Sequence, residues 1–415
     1  MVSCKGDNII NNFNEFGLCK EILRGLEKMN FKEPSPVQES AIEPMLKKED
    51  ILVQAPTGTG KTAAFCIPIV ENTDTQRRSV QSVILSPTRE LAVQTAEVLR
   101  KLTAYTSGIR LAVLYGGEPI NHQIKALKRH PQIIVATPGR LMDHMNRRTV
   151  RLNQAECVVL DEADCMLDMG FREDMEEILK KTPQERQTVL FSATMSEGIR
   201  KIAKDYQKDA KNISIKQNSM AVDKVEQYYV EMRGNTKTEN LLNLFEKKRF
   251  KLSLVFVATK AMADKLSNQL NGAGFSADAI HGDLRQRQRD RVMEKYRSGK
   301  VSILVATDIA ARGIDVNGID AVINYDIPGD AESYVHRIGR TGRAEKTGIA
   351  YTFVVPKEKG KLKGILRETK AKASPLKMGD TGSKFRELNN EGENKRGKYN
   401  RGRKKDQYKK KAVYA

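Results

Sequence analysis

The chain has 415 residues, 39% of them apolar and 30% charged, so it is long enough for two domains with cores of their own. It contains no run of 18 or more apolar residues, and its first residues lack the regions of a signal peptide, so we predict neither a membrane span nor secretion. The net charge of +20 predicts a polyanionic partner, with nucleic acid favoured over an anionic membrane.

The cysteines give a further indication of the compartment. They are odd in number, scattered and without a C-x-x-C pair: Cys4, Cys19, Cys66, Cys157 and Cys165. This pattern predicts neither a zinc site nor a disulfide framework. We therefore expect a reducing, cytoplasmic compartment.

From about residue 50, short β-like runs alternate with stretches of helical periodicity. In the first half, strands are predicted over 51–54, 83–86, 111–115, 133–136, 158–160 and 189–191. In the second half, they are predicted over 252–257, 277–280, 303–306, 321–324 and 349–355. Helical stretches such as 89–102 and 261–270 lie between them. This alternation predicts parallel βαβ units in two successive series, and hence two α/β domains.

The polar segment 208–223 separates the two series. We predict an N-terminal segment over 1–40, a first domain over 41–211, a linker over 212–222, a second domain over 223–370 and a tail over 371–415. The tail carries 14 Lys and Arg against 5 Asp and Glu, a net charge of +9. Because it also has few apolar residues, we expect this basic C-terminal tail to be disordered.

A glycine-rich segment follows the first predicted strand and precedes a helical stretch: Ala55-Pro56-Thr57-Gly58-Thr59-Gly60-Lys61-Thr62. Gly58 and Gly60 let backbone N–H groups approach phosphate oxygens. Lys61 can reach the β- and γ-phosphates, and Thr62 can offer its hydroxyl to Mg²⁺ at a helix N-terminus that favours anions. All eight residues are thus a candidate nucleotide site, although Ala55 stands where the generic pattern has Gly.

A run of carboxylates, Asp161-Glu162-Ala163-Asp164, follows the apolar residues 157–160, which resemble a buried strand. A carboxylate at the end of such a strand suits a Mg²⁺–nucleotide site. Asp161 can hold the metal through water, and Glu162 can orient or deprotonate an attacking water. An ordinary solvated strand end is the alternative, and Lys61 and Thr62 in the same predicted domain argue against it.

From about Phe13 to about residue 370, the order and composition of these segments resemble the DEAD-box ATP-dependent RNA helicases of superfamily 2. The resemblance implies two tandem RecA-like parallel-sheet domains and an RNA-stimulated ATPase activity. It implies ATP and Mg²⁺ as cofactors and RNA as the partner. A chain with little beyond this core is more typical of bacterial than of eukaryotic members.

The resemblance extends to a base-reading segment upstream of the glycine-rich loop. It implies that Phe31 stacks on adenine and that Gln38, whose amide can donate and accept, bonds the edge of the base. The family usually has Gly where this chain has Asn30, and Asn tolerates positive φ better than most residues. Ser35 replaces a commoner Thr. The resemblance also implies that Asp315 binds the ribose hydroxyl.

Two further segments are implied to link the nucleotide to domain movement. Ser192-Ala193-Thr194 follows a predicted strand and is implied to relay between Asp164 and the second domain. In His336-Arg337-Ile338-Gly339-Arg340-Thr341-Gly342-Arg343, the spacing predicts that His336, Arg340 and Arg343 share one helical face. The resemblance implies that Arg340 and Arg343 act as arginine fingers on the γ-phosphate and that His336 meets Asp164 and Ser192.

Threonine, glycine and arginine residues at other strand ends suit contacts to phosphate and sugar better than base readout. The resemblance implies RNA contacts at Pro87, Thr88, Arg89, Gly117, Thr137, Arg140, Thr259, Gly282, Arg289 and Thr307. Taken singly, each Gly or Thr is better explained by turn chemistry. Contacts to 2′-hydroxyls favour RNA over DNA. In the tail, ten basic residues over 395–411 with Tyr399 and Tyr408 are a candidate RNA anchor, with a solubilising end as the alternative.

The predicted function is an ATP-dependent RNA helicase. It unwinds short duplexes locally, or remodels RNA–protein complexes, by ATP-driven closure of two domains on single-stranded RNA. One alternative is an ATP-gated RNA clamp that unwinds little, and another is a DNA-directed helicase of the same superfamily. Ribonucleoprotein or RNA-decay proteins are candidate partners.

Overall fold

A computed structural model describes residues 12–56, 58–215, 225–232, 236–311, 316, 318–342 and 347–376, without the side chains of Gln286 and Ile309. The chain forms two compact units. The first unit contains the sheet built from residues before 215, and the second unit contains the sheet built from residues after 224.

The first unit is a parallel sheet of seven strands in the order β3-β4-β2-β5-β6-β1-β7. The strands are β1 Ile51–Gln54, β2 Ser82–Leu85, β3 Leu111–Leu114, β4 Ile133–Ala136, β5 Cys157–Leu160, β6 Gln187–Ser192 and β7 Lys211–Ser214. The strands β2, β4 and β5 are buried along their whole length. Continuous burial is expected where helices cover both faces of a parallel sheet.

The described residues before 215 form the helices α1 Lys20–Lys28, α2 Pro36–Leu46, α3 Lys61–Glu71, α4 Arg89–Leu102, α5 Ile120–Leu127, α6 Pro138–Asn146, α7 Ala163–Asp168, α8 Arg172–Lys180 and α9 Glu197–Tyr206. Two helices start with Pro at N1, where its missing N–H costs nothing. One apolar cluster packs α1 to α4 on one face of the sheet, and a second packs α6 to α9 on the other. The site residues therefore sit on a sheet that is fixed from both sides.

The second unit repeats this arrangement, with strand order β10-β11-β9-β12-β13-β8-β14. Its strands are β8 Val225–Glu231, β9 Ser253–Phe256, β10 Ala277–Ile280, β11 Ile303–Ala306, β12 Ala321–Asn324, β13 Gly348–Val354 and β14 Ala373–Pro375. The helices along this part of the chain are α10 Lys237–Lys247, α11 Lys260–Gly272, α12 Gln286–Arg297, α13 Asp308–Ala311, α14 Ala331–Ile338 and α15 Lys359–Thr369. Of these, the first half of α12 and residues 309–311 of α13 group with the first unit. Counted from its first strand, this order is the same as in the first sheet, which confirms the prediction of two tandem parallel-sheet domains.

All eleven predicted strands are present, with bounds that shift by a few residues. Three strands were missed, namely β7, β8 and β14. Of these, β7 lies mostly in the predicted linker and pairs with β1, while β14 lies in the predicted tail and pairs with β8. Both are edge strands with little buried surface, so their backbone hydrogen bonds hold them without an apolar signal in the sequence. The tail beyond residue 376 lies outside the described residues.

None of the helices in the described ranges combines the length and the apolar character that a transmembrane span requires.

Candidate nucleotide and nucleic-acid sites

The loop between β1 and α3 is shaped for the close approach of an anion. Gly58 and Gly60 have φ of +82° and +95°, which side chains of L-residues disfavour. A Cβ at Gly60 would lie 2.6 Å from Gln38 Nε2 and 2.9 Å from Ser35 Oγ. Only glycine fits there, and the loop leads directly into the N-terminus of α3, whose free N–H groups attract negative charge.

Lys61, the first residue of α3, places an ammonium group beneath this loop. It is 6% exposed, and its Nζ donates to the Ala55 carbonyl oxygen at 2.9 Å. An ammonium group has three donors, so two more hydrogen bonds are available to a ligand. Thr59 Oγ1 donates to the Pro56 carbonyl oxygen at 2.8 Å and closes the turn, while Thr62 stands in the first turn of α3. Thr57 lies outside the described residues.

Gln38, the predicted adenine reader, is bonded to the phosphate loop. Its side chain is 4% exposed; Oε1 accepts from Ser35 N at 2.9 Å, and Nε2 donates to the Gly60 carbonyl oxygen at 3.2 Å. Ser35 Oγ donates to the Thr59 carbonyl oxygen at 2.8 Å. One donor and one acceptor of the amide remain for a base. Sequence reasoning missed this connection, although Ser35-Pro36-Val37-Gln38 has the spacing of a helix capping box.

Phe31 lies next to this segment and is half-buried. Its ring stacks on Phe13 with centroids 6.3 Å apart and an interplanar angle of 18°. The two rings line an open pocket together with the basic residues Lys20 and Arg24. Asn30 has φ +62°, which confirms the expectation that Asn supports the turn normally made by Gly.

Asp161 directly follows β5 and fits a divalent cation. It is 4% exposed, and its Oδ1 has no hydrogen-bond partner in the part of the chain that the structure describes. The pKa of this carboxyl is raised to about 7, chiefly by burial and less by Glu162 and Asp164, against the opposing effect of the Lys61 ammonium and a backbone hydrogen bond from Glu162. An unpaired buried carboxylate is costly, and a cation would relieve that cost.

The donor set suits Mg²⁺ in particular. The ion takes hard oxygen ligands and usually keeps waters and substrate phosphates beside one or two carboxylates. The described residues contain no group of three or more His, Cys, Asp or Glu side chains that could hold a metal by themselves. Asp161 and the hydroxyl of Thr62 would therefore share the ion with phosphate and water.

Asp164 points away from this carboxylate and towards the end of β6. Its Oδ2 accepts from Ala193 N at 3.0 Å, from Thr194 N at 2.9 Å and from Thr194 Oγ1 at 3.2 Å. Ser192 Oγ donates instead to the Thr194 carbonyl oxygen at 2.7 Å. The predicted group of Asp164, Ser192 and Thr194 is thus brought together, but the serine hydroxyl supports the threonine backbone and does not bond the aspartate.

The prediction that His336, Arg340 and Arg343 share one helical face is wrong. The helix α14 ends at Ile338, and Gly339 caps it, so that Arg340 lies in the turn that follows. Gly342, with φ +68°, continues that turn. His336 Nε2 lies 3.9 Å from Glu332 Oε1 one helical turn earlier, and Arg340 is 9% exposed. Arg343 and Asp315 lie outside the described residues.

Arg337 was not singled out by its sequence, but it holds the edge of the second sheet together. It is 3% exposed, and its Nε and Nη2 donate to the two carboxylate oxygens of Asp308 at 2.5 and 2.7 Å. Its Nη1 donates to the Asp326 carbonyl oxygen at 2.6 Å. The guanidinium also lies over the ring of Phe256, 5.0 Å from the centroid. The sequence signal that could have indicated this role is an arginine on the buried face of α14, beside Tyr334 and Ile338.

The predicted RNA contacts of the first unit meet at one sheet edge, because β2, β3 and β4 are neighbours and parallel. Thr88 caps α4, with Oγ1 accepting from Leu91 N at 3.3 Å, and the Arg89 guanidinium lies 4.6 Å from the centroid of Tyr115. Gly117 has φ +84°. The same edge carries Pro87 after β2, and Thr137 and Arg140 around the start of α6.

The second sheet has the same concentration of predicted RNA contacts after β9, β10 and β11, which are also neighbours, although Gly282 and Arg289 group with the first unit. Thr259 caps α11, with Oγ1 accepting from Met262 N at 3.2 Å. Gly282 and Thr307 follow β10 and β11, and Arg289 Nη2 donates to the Ala310 carbonyl oxygen at 2.9 Å. In each sheet, the predicted RNA contacts thus follow adjacent strands.

Comparisons with known proteins agree with these two units. The DEAD/DEAH box helicase model matches residues 35–202, and the helicase conserved C-terminal domain model matches residues 236–345. The DEAD-box ATP-dependent RNA helicase CshA of Geobacillus kaustophilus is 49% identical over 89% of this chain and 79% of its own length. The CshA protein of Listeria monocytogenes is 48% identical over 88% of this chain and 70% of its own length.

A solved structure extends the similarity to the fold. S. cerevisiae Dbp5 bound to RNA and ADP BeF3 superposes with a TM-score of 0.80 at 34% identity, covering 88% of this chain and 95% of that chain. A DEAD box protein from Methanococcus jannaschii is 43% identical over 88% of this chain and 99% of that chain, with a TM-score of 0.51. With its phosphate loop, its buried Asp161 and these relatives, the chain belongs to the DEAD-box ATP-dependent RNA helicases, a family of RNA-stimulated ATPases.

Proposed function

We propose that this protein uses ATP to close its two units on single-stranded RNA, and that this closure unwinds short duplexes locally or remodels RNA–protein complexes. The observation that carries the proposal is that one unit combines a glycine-rich loop at positive φ with the buried carboxylate of Asp161, whose Oδ1 has no hydrogen-bond partner among the described residues. Both features are costly without a ligand, and a metal-bound triphosphate satisfies both.

The nucleotide is held at three places in this proposal. The loop from Ala55 to Thr62 binds the phosphates, and Lys61 donates to the β- and γ-phosphate oxygens. Phe31 stacks on the adenine, and Gln38 bonds its edge with the donor and acceptor that its contacts within the chain leave free. Asp315 binds the ribose hydroxyl.

Thr62 and Asp161 would hold Mg²⁺, which would neutralise developing phosphate charge. Glu162, with φ +49°, immediately precedes α7 and orients or deprotonates the attacking water. Arg340 and Arg343 stabilise the transferred phosphoryl group, and arginine fingers of this kind contribute roughly 10³–10⁵ in rate. Asp164, Ser192 and Thr194 couple the site to closure through His336.

RNA binds along the sheet edges of the two units in this proposal, through phosphate and sugar contacts that give weak sequence preference. ATP and RNA both favour the closed arrangement, so each raises the affinity for the other. Closure bends the bound strand, and a bent strand cannot remain in a duplex. Hydrolysis and phosphate release then reopen the two units.

The test of this function is Glu162→Gln, with Glu173→Gln as the matched control, because Glu173 is an exposed carboxylate at the start of α8. We expect Glu162→Gln to retain ATP binding, to lose turnover and to release RNA slowly in the presence of ATP. The control should behave as wild type. Rapid RNA release from Glu162→Gln with ATP, measured by a fluorescent RNA chase, would contradict the assignment of Glu162.

Unwinding and substrate class need their own measurements. Release of a labelled strand from a short RNA duplex, measured beside ATPase activity, separates a helicase from an ATP-gated clamp, because a clamp hydrolyses ATP without releasing strands. Stimulation by RNA but not by DNA of the same sequence supports contacts to 2′-hydroxyls. Equal stimulation by DNA would favour a DNA-directed enzyme.

The basic tail is proposed as an additional RNA anchor. Because β14 pairs with β8 and Ala371 is buried, the informative deletion removes residues 377–415 and not the whole segment from 371. We expect weaker RNA binding and a shallower dependence of log affinity on log salt. An unchanged salt slope would show that the tail does not contact RNA.

Domain limits and compartment follow as proposals. Because β7 pairs with β1 and β8 pairs with β13, we place the end of the first domain after Ser214, later than the predicted 211. The four described cysteines are free thiols, which suits a reducing cytoplasm. Ribonucleoprotein or RNA-decay proteins remain the candidate partners.

A further inference from the structure

A buried glutamine in α5 connects the RNA-binding segments of the first unit. We propose that Gln123 is a positioning residue for RNA binding, which fixes the Gly116-Gly117 turn and Arg140 in one geometry. The proposal rests on the proposed RNA contacts of Gly117, Arg140 and Arg89 and adds to them a residue that touches no RNA.

Gln123 uses both ends of its amide to join two separate segments. Its Nε2 donates to the Tyr115 carbonyl oxygen at 2.9 Å and to Glu118 Oε2 at 3.0 Å. Tyr115 and Glu118 flank the two glycines, so these bonds hold both ends of the turn. Its Oε1 accepts from Arg140 Nη1 at 3.1 Å and from His144 Nε2 at 3.0 Å, both on α6.

The chemistry at this position specifies an amide. Gln123 is 2% exposed and His144 is fully buried. Two acceptors face Nε2 and two donors face Oε1, which matches the two N–H groups and two lone pairs of the side chain. A glutamate would lose both donors and place a second carboxylate beside Glu118, while an apolar side chain would leave buried polar groups unpaired.

Arg140 makes a second contact that strengthens this geometry. The same Nη1 donates to the Glu118 carbonyl oxygen at 3.0 Å, so the arginine is held by the turn as well as by the glutamine. Arg89 reaches the network indirectly, because its guanidinium lies over the ring of Tyr115. All three proposed RNA segments of this sheet edge are therefore oriented by groups that Gln123 holds.

The chain offers a matched control at the opposite end of the same strands. Gln132 is also fully buried and immediately precedes β4. Its Oε1 accepts from Arg110 N at 2.9 Å, and its Nε2 donates to the Gly108 carbonyl oxygen at 3.2 Å. It has the same chemistry and burial, but it lies away from every proposed RNA contact. A merely structural role for Gln123 predicts that the two glutamines behave alike.

The experiment compares Gln123→Met with Gln132→Met in the full chain, since Met keeps the length of the side chain and its helix propensity. The measurements are kcat and the poly(U) concentration that gives half-maximal ATPase stimulation, together with turnover without RNA and the Tm. We expect Gln123→Met to raise that RNA concentration by about tenfold, which corresponds to about one lost buried hydrogen bond. Turnover without RNA should change less than about twofold.

Gln132→Met should lower the Tm by about as much as Gln123→Met does. It should leave the RNA concentration for half-maximal stimulation within about twofold of wild type. A second variant, Gln123→Glu, keeps the acceptor for Arg140 and removes the two donors to the turn. It should raise the RNA requirement even if Gln123→Met fails to fold. Gln123→Asn, which keeps the amide, should recover part of the wild-type RNA affinity.

Two results would overturn the positioning role. One is an unchanged RNA requirement in both Gln123→Met and Gln123→Glu, and the other is an equal increase in Gln132→Met. Failure of the proposed function looks different, because RNA would then not stimulate even the wild-type ATPase.

Discussion

The two sheets have the same strand order, yet the lysine that opens the helix after the first strand has different partners in the two units. In the first unit, this helix is α3, which begins at Lys61. In the second, it is α10, which begins at Lys237. Both helices begin with Lys-Thr, so the dipeptide and its place in the fold do not distinguish them.

The two units differ in the partners of this lysine and of a carboxylate that follows a central strand, Asp161 in the first unit and Asp326 in the second. Lys237 Nζ lies 2.9 Å from Asp326 Oδ1, and Asp326 Oδ2 accepts from Ala258 N at 2.9 Å. Thr238 Oγ1 and the Tyr325 hydroxyl are 2.9 Å apart. The polar groups that correspond to a phosphate site are satisfied within the second unit. In the first unit, Asp161 Oδ1 is unpaired among the described residues, and Lys61 bonds only a carbonyl in the loop.

The comparison shows that a nucleotide site depends on groups that the fold leaves unsatisfied. Glycine at a positive φ keeps the loop open, and an unpaired buried carboxylate makes a bound cation favourable. Among the described residues of the second unit, the Lys237–Asp326 ion pair satisfies both of these charged groups internally.

The largest expected effect comes from removing each lysine in turn. Lys61→Ala should lower ATP turnover by roughly 10²-fold or more, because a preorganised charge on the phosphates is lost. Lys237→Ala should leave the KM for ATP unchanged, since its ammonium group is bonded to Asp326. Steady-state ATPase assays at saturating RNA measure both. Wild-type turnover in Lys61→Ala, or loss of ATP binding in Lys237→Ala, would break the comparison.

A second pair of variants replaces one glycine in each unit, Gly348 in the second and Gly60 in the first, where a Cβ would meet different neighbours. A Cβ at Gly348, the first residue of β13, would overlap with Thr341 Oγ1 and Gly342 N, next to Arg340. Gly348→Ala should therefore displace the proposed arginine finger and lower kcat about tenfold or more.

Gly60→Ala should instead raise the KM for ATP, because its Cβ conflicts with Gln38 and Ser35 in the phosphate loop. Single-turnover and binding measurements separate the two effects. If Gly348→Ala changed only ATP binding, the placement of Arg340 by this packing would be refuted.

The carboxylates give a third comparison, measured as stability without Mg²⁺ or nucleotide. Asp161→Asn should raise the free energy of unfolding by about 1–3 kcal/mol at pH 8, since it removes a buried charge whose desolvation Lys61 offsets only in part. Asp326→Asn should lower it by about 1–2 kcal/mol, since it breaks a partly buried ion pair.

The pH dependence of Asp161→Asn follows from the sign of the shift. The carboxyl pKa is about 7 in the folded chain and about 4 when unfolded, so the native state binds more protons between these values. Wild-type stability should therefore fall as pH rises from about 4 to about 7, and Asp161→Asn should lack this fall. Parallel urea-unfolding curves for the two proteins from pH 5 to pH 8 would contradict it.

The smallest effect concerns His144, next to Gln123 in the first unit. Burial lowers the pKa of this imidazole, and Arg140 lowers it further. The unfolded state then takes up a proton at higher pH than the native state, so stability is lost as pH falls below about 6.5. His144→Gln should weaken that loss, with a change in Tm of less than about 4 °C. Thermal unfolding from pH 5 to pH 8 measures it, and identical slopes would refute the role of His144.

The central strands could be predicted because their continuous apolar runs report burial on both faces, as in β4 and β5. The edge strand β7 could not, because Ile213 is its only buried residue and its hydrogen bonds with β1 leave no trace in composition. Local motifs predicted that Lys61, Asp161 and Thr194 follow strands of the first domain, and they do follow β1, β5 and β6. The bonds from Gln38 to Gly60, from Arg140 to Gln123 and from Arg337 to Asp308 join residues 17 to 29 positions apart, and no local spacing rule reveals them.

The hydrogen bond from Gln38 to Gly60 has a consequence for how a nucleotide is chosen. The side chain proposed to read the base also supports the carbonyl at the turn that receives the phosphates. A base that draws the amide towards it also changes the support of that turn. A nucleotide with a mismatched base would then lose affinity at its triphosphate as well as at its ring. Discrimination between nucleotides should therefore persist when the direct contact to the base is weak.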